Sequence, residues 1–253
     1  MLEALSGLEL PPPVIFTSTH EVYGRGDDVE LAAVGNRYVP DDPDIRAHGL
    51  GERRPLEPRG LRSDGTEKAD TSVLDEARSR GLRAVVFRLS SVYGPHQLGD
   101  EDEGWVAHFA RRLAAGERVT VYGDGKQVRD LLFADDLVDA FLLVQERMTA
   151  LAGAVFNVGG GPRQSASVLE VVDRLCRASG TQPELAFGPW RTGERRYYVS
   201  DIRRLQAATG WHPRVGVTEG LQYQHEWLSC STSRLRPAAP PRRPARLAAR
   251  TAP

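Results

Sequence analysis

Cysteine, lysine and long apolar runs are all scarce in this sequence of 253 residues. Its two cysteines, Cys176 and Cys230, are too few for a disulfide framework or a four-ligand zinc site. No apolar run approaches the roughly 20 residues that a membrane-spanning helix needs. The first residues contain Glu3 and Glu9 and lack the basic start of a signal peptide. These absences argue against a secreted or membrane protein, and we expect a cytoplasmic one.

The basic residues are almost all arginine, and they are unevenly placed. The 33 basic residues include only two lysines, Lys68 and Lys126. Residues 234–253 carry six arginines and no acidic residue and are rich in proline and alanine, so we expect a disordered tail over 229–253. The residues before 234 hold 27 basic against 34 acidic side chains. An acidic body of this kind argues against a nucleic-acid partner.

Two short apolar runs rich in β-branched residues predict a parallel sheet. Val14–Thr17 and Arg83–Leu89 have the composition of strands that are buried on both faces. Between them, Glu67–Arg80 has helical composition, and Gly81 is placed to end the helix. A strand, a helix and a strand in this order indicate the α/β class.

The alternation of strands and helices continues through the rest of the chain. We predict a helix over Val106–Ala115, a β-hairpin around Gly123-Asp124-Gly125, a helix over Leu137–Met148, a buried strand within 154–161 and a helix that starts at the capping box Ser167-x-x-Glu170. Residues 24–60 contain many Gly, Pro, Asp and Arg without a clear period, which predicts a long loop. The glycine triplet 159–161 lacks the spacing of a dinucleotide-binding loop, and we interpret it as a turn.

Three polar motifs carry the information about function. They are Thr17-Ser18-Thr19-His20-Glu21-Val22-Tyr23-Gly24 after the first strand, Arg88-Leu89-Ser90-Ser91-Val92-Tyr93-Gly94-Pro95 at the end of the second, and Val121–Asp130. Hydroxyl groups at the carboxyl ends of parallel strands lie where open α/β sheets bind ligands. Each motif alone has a plainer interpretation, since Ser and Thr after a strand often form turns. Gly-Asp-Gly-Lys at 123–126 is not a phosphate loop, because Gln127 stands where Ser or Thr would bind magnesium.

Together, the order and spacing of the three motifs resemble the NAD-dependent sugar-nucleotide epimerases and dehydratases, the extended branch of the short-chain dehydrogenases/reductases. The resemblance runs from about Leu2 to Leu228 and includes later landmarks such as Phe156-Asn157-Val158-Gly159. Within the family it is strongest to the CDP-sugar 2-epimerases, on Glu103–Phe109 and Gly125–Asp130. The resemblance implies a Rossmann-like parallel sheet with a smaller α/β substrate-binding part.

The resemblance also implies roles for individual residues. Thr19 matches the catalytic Ser/Thr that relays a proton between the family's tyrosine and the sugar. NAD is the family's cofactor, and a nucleoside diphosphate sugar is its substrate. No residue matches a metal ligand. The cofactor-facing positions are Thr17, Ser18 and Leu89, and the substrate-binding positions are Ser91, Tyr122, Arg129 and Arg191.

The sequence departs from the family pattern in two ways. The family has a glycine-rich nucleotide loop ahead of the first motif, whereas only 13 residues precede Val14 and no Gly-x-x-Gly-x-x-Gly occurs. The family's base is a tyrosine activated by a lysine four residues later, and Arg62 and Thr66 occupy those positions. Arginine does not give up its proton in proteins. We therefore predict a partial Rossmann-like sheet without its N-terminal nucleotide-binding half, and we expect neither NAD binding nor catalysis from this chain alone.

The same resemblance predicts how the chain is divided. Residues 1–100 form the Rossmann part and 101–228 mainly the substrate-binding part, with one strand near 154–159 returning to the sheet. A sheet without its flanking strands predicts a homo-oligomer or a partner that supplies them. Two alternative functions stay open. One is a 4,6-dehydratase, because Thr19-His20-Glu21 keeps the Glu of the dehydratase Thr-Asp-Glu turn, and the other is a non-catalytic protein that binds nucleotide sugars.

Overall fold

A computed structural model of the chain describes residues 2–56, 65–100, 103–182 and 184–235. The strands are β1 (Val14–Thr19), β2 (Leu31–Val34), β3 (Arg37–Pro40), β4 (Ala84–Leu89), β5 (Ser91–Tyr93), β6 (Val119–Tyr122), β7 (Val128–Phe133), β8 (Val155–Val158), β9 (Ser165–Ser167), β10 (Leu185–Gly188) and β11 (Tyr197–Tyr198). The helices are α1 (Leu2–Ser6), α2 (Pro43–His48), α3 (Thr66–Arg80), α4 (Trp105–Ala114), α5 (Ala134–Glu146), α6 (Met148–Leu151), α7 (Val168–Ser179), α8 (Arg203–Thr209) and α9 (Val217–Leu235).

The first sheet is parallel and has the order β1-β4-β8. Val85 and Phe87 of the middle strand are fully buried against α5, and Ala84 and Val86 are fully buried on the opposite face against α3. A strand that is covered on both faces needs the continuous apolar composition that predicted it. The α/β class and the first two predicted strands are thus confirmed. Because the strands are parallel, their last residues, Thr19, Leu89 and Val158, lie side by side. We call this side of the sheet, where the strands have their carboxyl ends, the carboxyl edge.

Helix α3 contacts this sheet through buried polar groups as well as through apolar packing. It ends at Gly81, whose φ of 68° is the left-handed conformation expected of a C-cap. Asp70 of α3 is fully buried and forms an ion pair with Arg88 of β4, with 2.8 Å between Arg88 Nε and Asp70 Oδ2. The Ser18 hydroxyl donates to the same carboxylate at 3.0 Å. This network holds α3, β1 and β4 together behind the carboxyl edge.

A second group of strands carries the later motifs. β5, β7 and β11 are parallel neighbours in the order β11-β7-β5, and β9 joins β7 in the antiparallel direction. β6 pairs in parallel with β10. Helices α4, α7 and α9 pack around a common apolar core with these strands. Helix α7 begins at the predicted capping box, in which Ser167 and Glu170 each accept a hydrogen bond from the other's backbone.

The predicted hairpin around Gly123-Asp124-Gly125 is wrong. β6 and β7 flank this turn, but they lie in different sheets. Gly123 and Gly125 have φ values of 75° and 72°, so the sequence signal for a tight turn was genuine. The two strands separate because each finds a partner later in the chain, β10 for β6 and β11 for β7. Local sequence contains no information about those partners.

Two other predictions also need correction. The stretch 24–60 contains the antiparallel pair β2 and β3 and the helix α2, which Asp42 caps through its side chain, so it is not a structureless loop over its described part. The tail was expected from residue 229, but α9 continues to Leu235. Leu221 and Leu228 are buried on the inner face of α9, and the helix runs past them across the predicted boundary. Residues 236–253 lie outside the described residues.

Candidate functional site

The first motif forms a short turn at the carboxyl edge of the parallel sheet. Thr19 ends β1 beside Leu89, the last residue of β4. Its hydroxyl accepts a hydrogen bond from the Glu21 N–H at 3.2 Å and so caps the 3₁₀ turn His20–Tyr23. Thr17 is exposed, whereas Ser18 points into the Asp70 network. Thr19 and Leu89 are therefore neighbours at the carboxyl edge. The Ser18 hydroxyl instead points into the protein interior, where it bonds to Asp70.

Ser91 is the first residue of β5, the strand that pairs with the Arg129-containing strand β7. It pairs with Leu131 of β7, two residues from Arg129. The indole Nε1 of Trp105 donates to the Ser91 hydroxyl at 3.4 Å. Trp105 belongs to the stretch Glu103–Phe109, on which the predicted likeness to the 2-epimerases rests. The half-buried serine is thus held by α4.

Tyr122 and Arg191, two of the predicted substrate-binding residues, contact each other. The guanidinium carbon of Arg191 lies 4.0 Å from the centre of the Tyr122 ring, which is a close cation–π contact. Gly188 packs against the Cδ1–Cε1 side of the Tyr122 ring, and an added Cβ there would come within 3.0 Å of Cδ1. Both side chains are half-buried. The guanidinium is therefore stacked on one face of the ring, which brings a cation and an aromatic group together at this place.

Arg129 is nearly buried, with 12% of its side chain exposed. Its guanidinium donates to Glu194 Oε1 at 3.0 Å and to the carbonyls of Val128 and Arg195. Burial lowers the pKa of Arg129 from its ordinary value, and the charge of Glu194 partly opposes that effect. Glu194 in turn donates its N–H to the Arg191 carbonyl at 3.1 Å. The 191–194 turn therefore links the Arg129 guanidinium to the Tyr122–Arg191 pair.

Arg195 belongs to the site, and the sequence reasoning missed it. It is 7% exposed and donates to the backbone carbonyls of His20 and Glu21 at 3.0 and 3.1 Å. Burial, and next the positive charge of Arg129, lower the pKa of Arg195 to about 10. The segment 191–195 thus contacts Arg129, Tyr122 and the turn His20–Tyr23 that Thr19 caps. We call this turn the Thr19 turn. The available signal was the second arginine in Arg191-Thr192-Gly193-Glu194-Arg195, which follows the recognised one by four residues.

The residues that follow β4 and β8 meet at the carboxylate of Asp130 in β7. This side chain is fully buried and accepts hydrogen bonds from the Ser90 hydroxyl and from the Gly161 N–H, the latter at 3.0 Å. Burial raises its pKa above the ordinary aspartate value. The glycine triplet 159–161 is a turn, as predicted, and a Cβ at Gly159 would overlap the side chains of Asp130 and Ser200. The glycines therefore allow close packing at this junction.

The described residues contain no evident substitute for the family's tyrosine base. Arg62 lies outside the described residues, and Thr66 is the first residue of α3. Two tyrosines lie at the Thr19 turn. Burial raises the pKa of Tyr23 to about 12 and that of Tyr198 well above its ordinary value. Both shifts disfavour the phenolate, whereas the family's base needs a phenol whose pKa is lowered.

The described residues do not fit the pyrophosphate of NAD. A Rossmann cofactor site needs a glycine-rich turn that leads from a strand into the N-terminus of a helix. The glycine turn that follows β8 is filled by Asp130, Leu131 and Gln164, and it leads into a 3₁₀ turn. No group of three or more potential metal-ligating side chains occurs in the described ranges. None of the described helices is long and apolar enough to cross a membrane.

Comparisons with known proteins decide the family. Residues 68–159 match the NAD dependent epimerase/dehydratase family. CDP-paratose 2-epimerase of Salmonella typhi is 31% identical over 234 residues, which are 90% of this chain and 68% of that enzyme. The chain belongs to the NAD-dependent epimerase/dehydratase family. The resemblance read from the sequence is thereby confirmed at the level of the family.

Similarity to other relatives supports the same family. dTDP-glucose 4,6-dehydratase of Streptomyces griseus is 34% identical over 75% of this chain and 56% of that enzyme. A UDP-glucose 4-epimerase from Thermotoga maritima, solved with UDP-glucose, superposes with a TM-score of 0.74 at 28% identity, and the match covers 91% of this chain and 67% of the epimerase. The Thermus thermophilus UDP-glucose 4-epimerase, solved with NAD, gives 0.73 at 28% identity over 90% of this chain and 67% of that epimerase. The chain thus spans about half to two thirds of these family members.

Proposed function

We propose that this chain binds a nucleoside diphosphate sugar at the carboxyl edge of its strands. The observation that carries the proposal is the segment 191–195, which contacts the Thr19 turn, Arg129 and Tyr122 at once. Guanidinium groups match the geometry of phosphate oxygens, and the Tyr122 ring brings an aromatic group next to them. The diphosphate would lie against Arg129 and Arg191, and the sugar would point toward Thr19 and Ser91.

Within this function we favour the CDP-paratose 2-epimerase type. Trp105, from the stretch that distinguishes these epimerases, bonds to the substrate-facing Ser91. A 4,6-dehydratase type is the second candidate, because Glu21 is kept and Arg195 fixes its carbonyl. The hydroxyls of Thr19 and Ser91 would orient the sugar in either case.

We further propose that these 253 residues do not catalyse epimerisation on their own. Arg62 and Thr66 stand in place of the base and its activator, and loss of a general base alone removes a factor of about 10² to 10⁴. The family's cofactor is NAD, and the described residues offer no glycine-rich turn at a helix N-terminus for its pyrophosphate. The chain would then act as a nucleotide-sugar-binding protein.

The experiment is an assay of the purified chain for bound NAD, by absorbance, and for 2-epimerisation of CDP-paratose with added NAD. We expect no turnover, together with weak binding of CDP in a separate titration. Turnover comparable with that of a family enzyme would contradict the assignment. Absence of CDP binding at millimolar concentration would contradict the binding site itself.

A partner is also proposed for the open side of the sheet. In the described part of the chain β1 pairs only with β4, so one edge of Val14–Thr19 lacks strand partners. Val14, Ile15 and Phe16 carry no charge that would discourage pairing along this edge. We propose that a second copy or another protein supplies strands there.

A further inference from the structure

His20, the residue after Thr19, is held in a defined orientation at the sheet edge. Its Nδ1 lies 3.1 Å from the carbonyl oxygen of Leu89. Its ring packs against Tyr198, with 4.4 Å between the ring centres. Its own carbonyl accepts a hydrogen bond from Arg195. The ring is therefore fixed by β4, β11 and the 191–195 segment, beside the two residues that face cofactor and substrate in the family.

These contacts determine which ring nitrogen can bind a ligand. A carbonyl oxygen only accepts hydrogen bonds, so Nδ1 carries the proton and donates it to Leu89. In the neutral ring the lone pair is then on Nε2. No hydrogen bond joins Nε2 to any residue of the described ranges. This acceptor belongs to a half-buried side chain that directly follows Thr19.

The surroundings keep this imidazole neutral. The charged and titratable side chains around it are Arg195 and Arg129 from two other segments, Tyr198 from β11, and Glu21 beside it on the same turn. Burial, and then the charges of the two arginines, lower the pKa of His20 well below its usual range. The hydrogen bond to Leu89 opposes this effect only in part. Nε2 therefore stays an acceptor at neutral pH.

We propose that Nε2 of His20 accepts a hydrogen bond from a hydroxyl group of the sugar when a nucleoside diphosphate sugar is bound. His20 would then be the residue by which the site distinguishes a nucleotide sugar from the nucleotide alone. The inference rests on the proposed nucleotide-sugar binding and assigns the sugar end of that site. A histidine with a purely structural role would use Nδ1 and its ring face, and Nε2 would not matter for ligands.

The test compares CDP with CDP-glucose by calorimetry on the full chain and two variants. His20→Asn keeps a donor near the position of Nδ1 but removes Nε2, whereas His20→Gln places a polar group near Nε2. The matched control is His212→Asn, because His212 is exposed and its Nδ1 also faces a backbone carbonyl, that of Gly210, at 3.4 Å. Thermal melts of each variant verify that it is folded.

We expect CDP-glucose to bind the unmodified chain about three- to tenfold more tightly than CDP, the range of one net hydrogen bond. His20→Asn should abolish this preference while leaving CDP affinity unchanged, and His20→Gln and His212→Asn should retain it. Equal affinity for CDP and CDP-glucose in the unmodified chain would overturn the inference while leaving the proposed function intact. So would an unchanged preference in His20→Asn. If CDP itself does not bind, both fail together.

A second readout needs no ligand. Nitrogen NMR of the His20 ring should show the neutral form with its proton on Nδ1 between about pH 8 and about pH 6. A ring protonated at Nε2 in this range would overturn the inference, because Nε2 could not then accept a hydrogen bond.

Discussion

Replacing Arg88 by methionine should destabilise the protein strongly, because it leaves a buried carboxylate without its partner. Asp70 is fully buried, and Arg88 is 4% exposed. The pair is bidentate, with Nε 2.8 Å from Oδ2 and Nη2 3.1 Å from Oδ1. After Arg88→Met, the Ser18 hydroxyl is the side-chain donor that Asp70 keeps within the described part of the chain. The Tyr23 hydroxyl also loses its 3.0 Å contact with Arg88 Nη1.

The magnitude follows from the exposure of the pair. Breaking a buried pair by removing one partner costs about 3–5 kcal/mol, since the remaining charge stays in a poorly solvated place. For a chain of this size each kcal/mol corresponds to about 2–4 °C in the melting temperature. We therefore expect Arg88→Met to lower that temperature by about 6–20 °C. Urea unfolding measures the free energy directly through the transition midpoint.

Two variants make the experiment specific. Arg203→Met removes an exposed partner of Asp201, 2.7 Å apart in the native pair, and should cost about 1 kcal/mol or less. The double variant Arg88→Met with Asp70→Asn removes both charges and should recover most of the lost stability. If Arg88→Met costs no more than Arg203→Met, the reasoning about the buried network is refuted.

Three further predictions follow from the site and the sheet edge. Arg129→Ala should weaken CDP binding by about 1.5–3 kcal/mol in calorimetry. An unchanged affinity would mean that Arg129 pairs with Glu194 and does not contact the diphosphate. Ile15→Lys should reduce self-association in analytical ultracentrifugation, and a strictly monomeric unmodified chain would contradict the open-edge proposal. Because the pKa of His20 is lower in the folded state, unfolding takes up a proton below about pH 6.5, so acidification should cost about 1.4 kcal/mol per pH unit relative to His20→Asn. Equal slopes in urea titrations of the two proteins would refute the lowered pKa.

The elements that the sequence predicted well are those that local patterns determine. β1, β4, α3 and the capping box of α7 each carry their signal within a few residues. The predicted hairpin is wrong because β6 pairs with β10 and β7 pairs with β5, β9 and β11, in each case with paired residues at least 35 positions apart along the chain. Such pairing is a property of the whole chain and leaves no mark in the turn itself.

The same distinction applies to the site. The motifs predicted that Thr19 and Leu89 lie at the carboxyl ends of two parallel strands, and the structure pairs them there. The contact between Tyr122 and Arg191 was not predicted. Ser18 was assigned to the cofactor, yet its hydroxyl bonds to Asp70, 52 residues away. Arg195 went unrecognised for the same reason, since its carbonyl partners lie 174 and 175 residues earlier in the chain.

The most direct test of the account is a titration of CDP into the chain beside Arg191→Ala. The account predicts binding by the unmodified chain, and about tenfold or greater weakening when the guanidinium over Tyr122 is removed. Arg203→Ala, which removes an exposed arginine paired with Asp201, should bind CDP as the unmodified chain does. No measurable CDP binding at millimolar concentration, or equal affinities in all three proteins, would contradict the claim that these strands end in a nucleotide-sugar site.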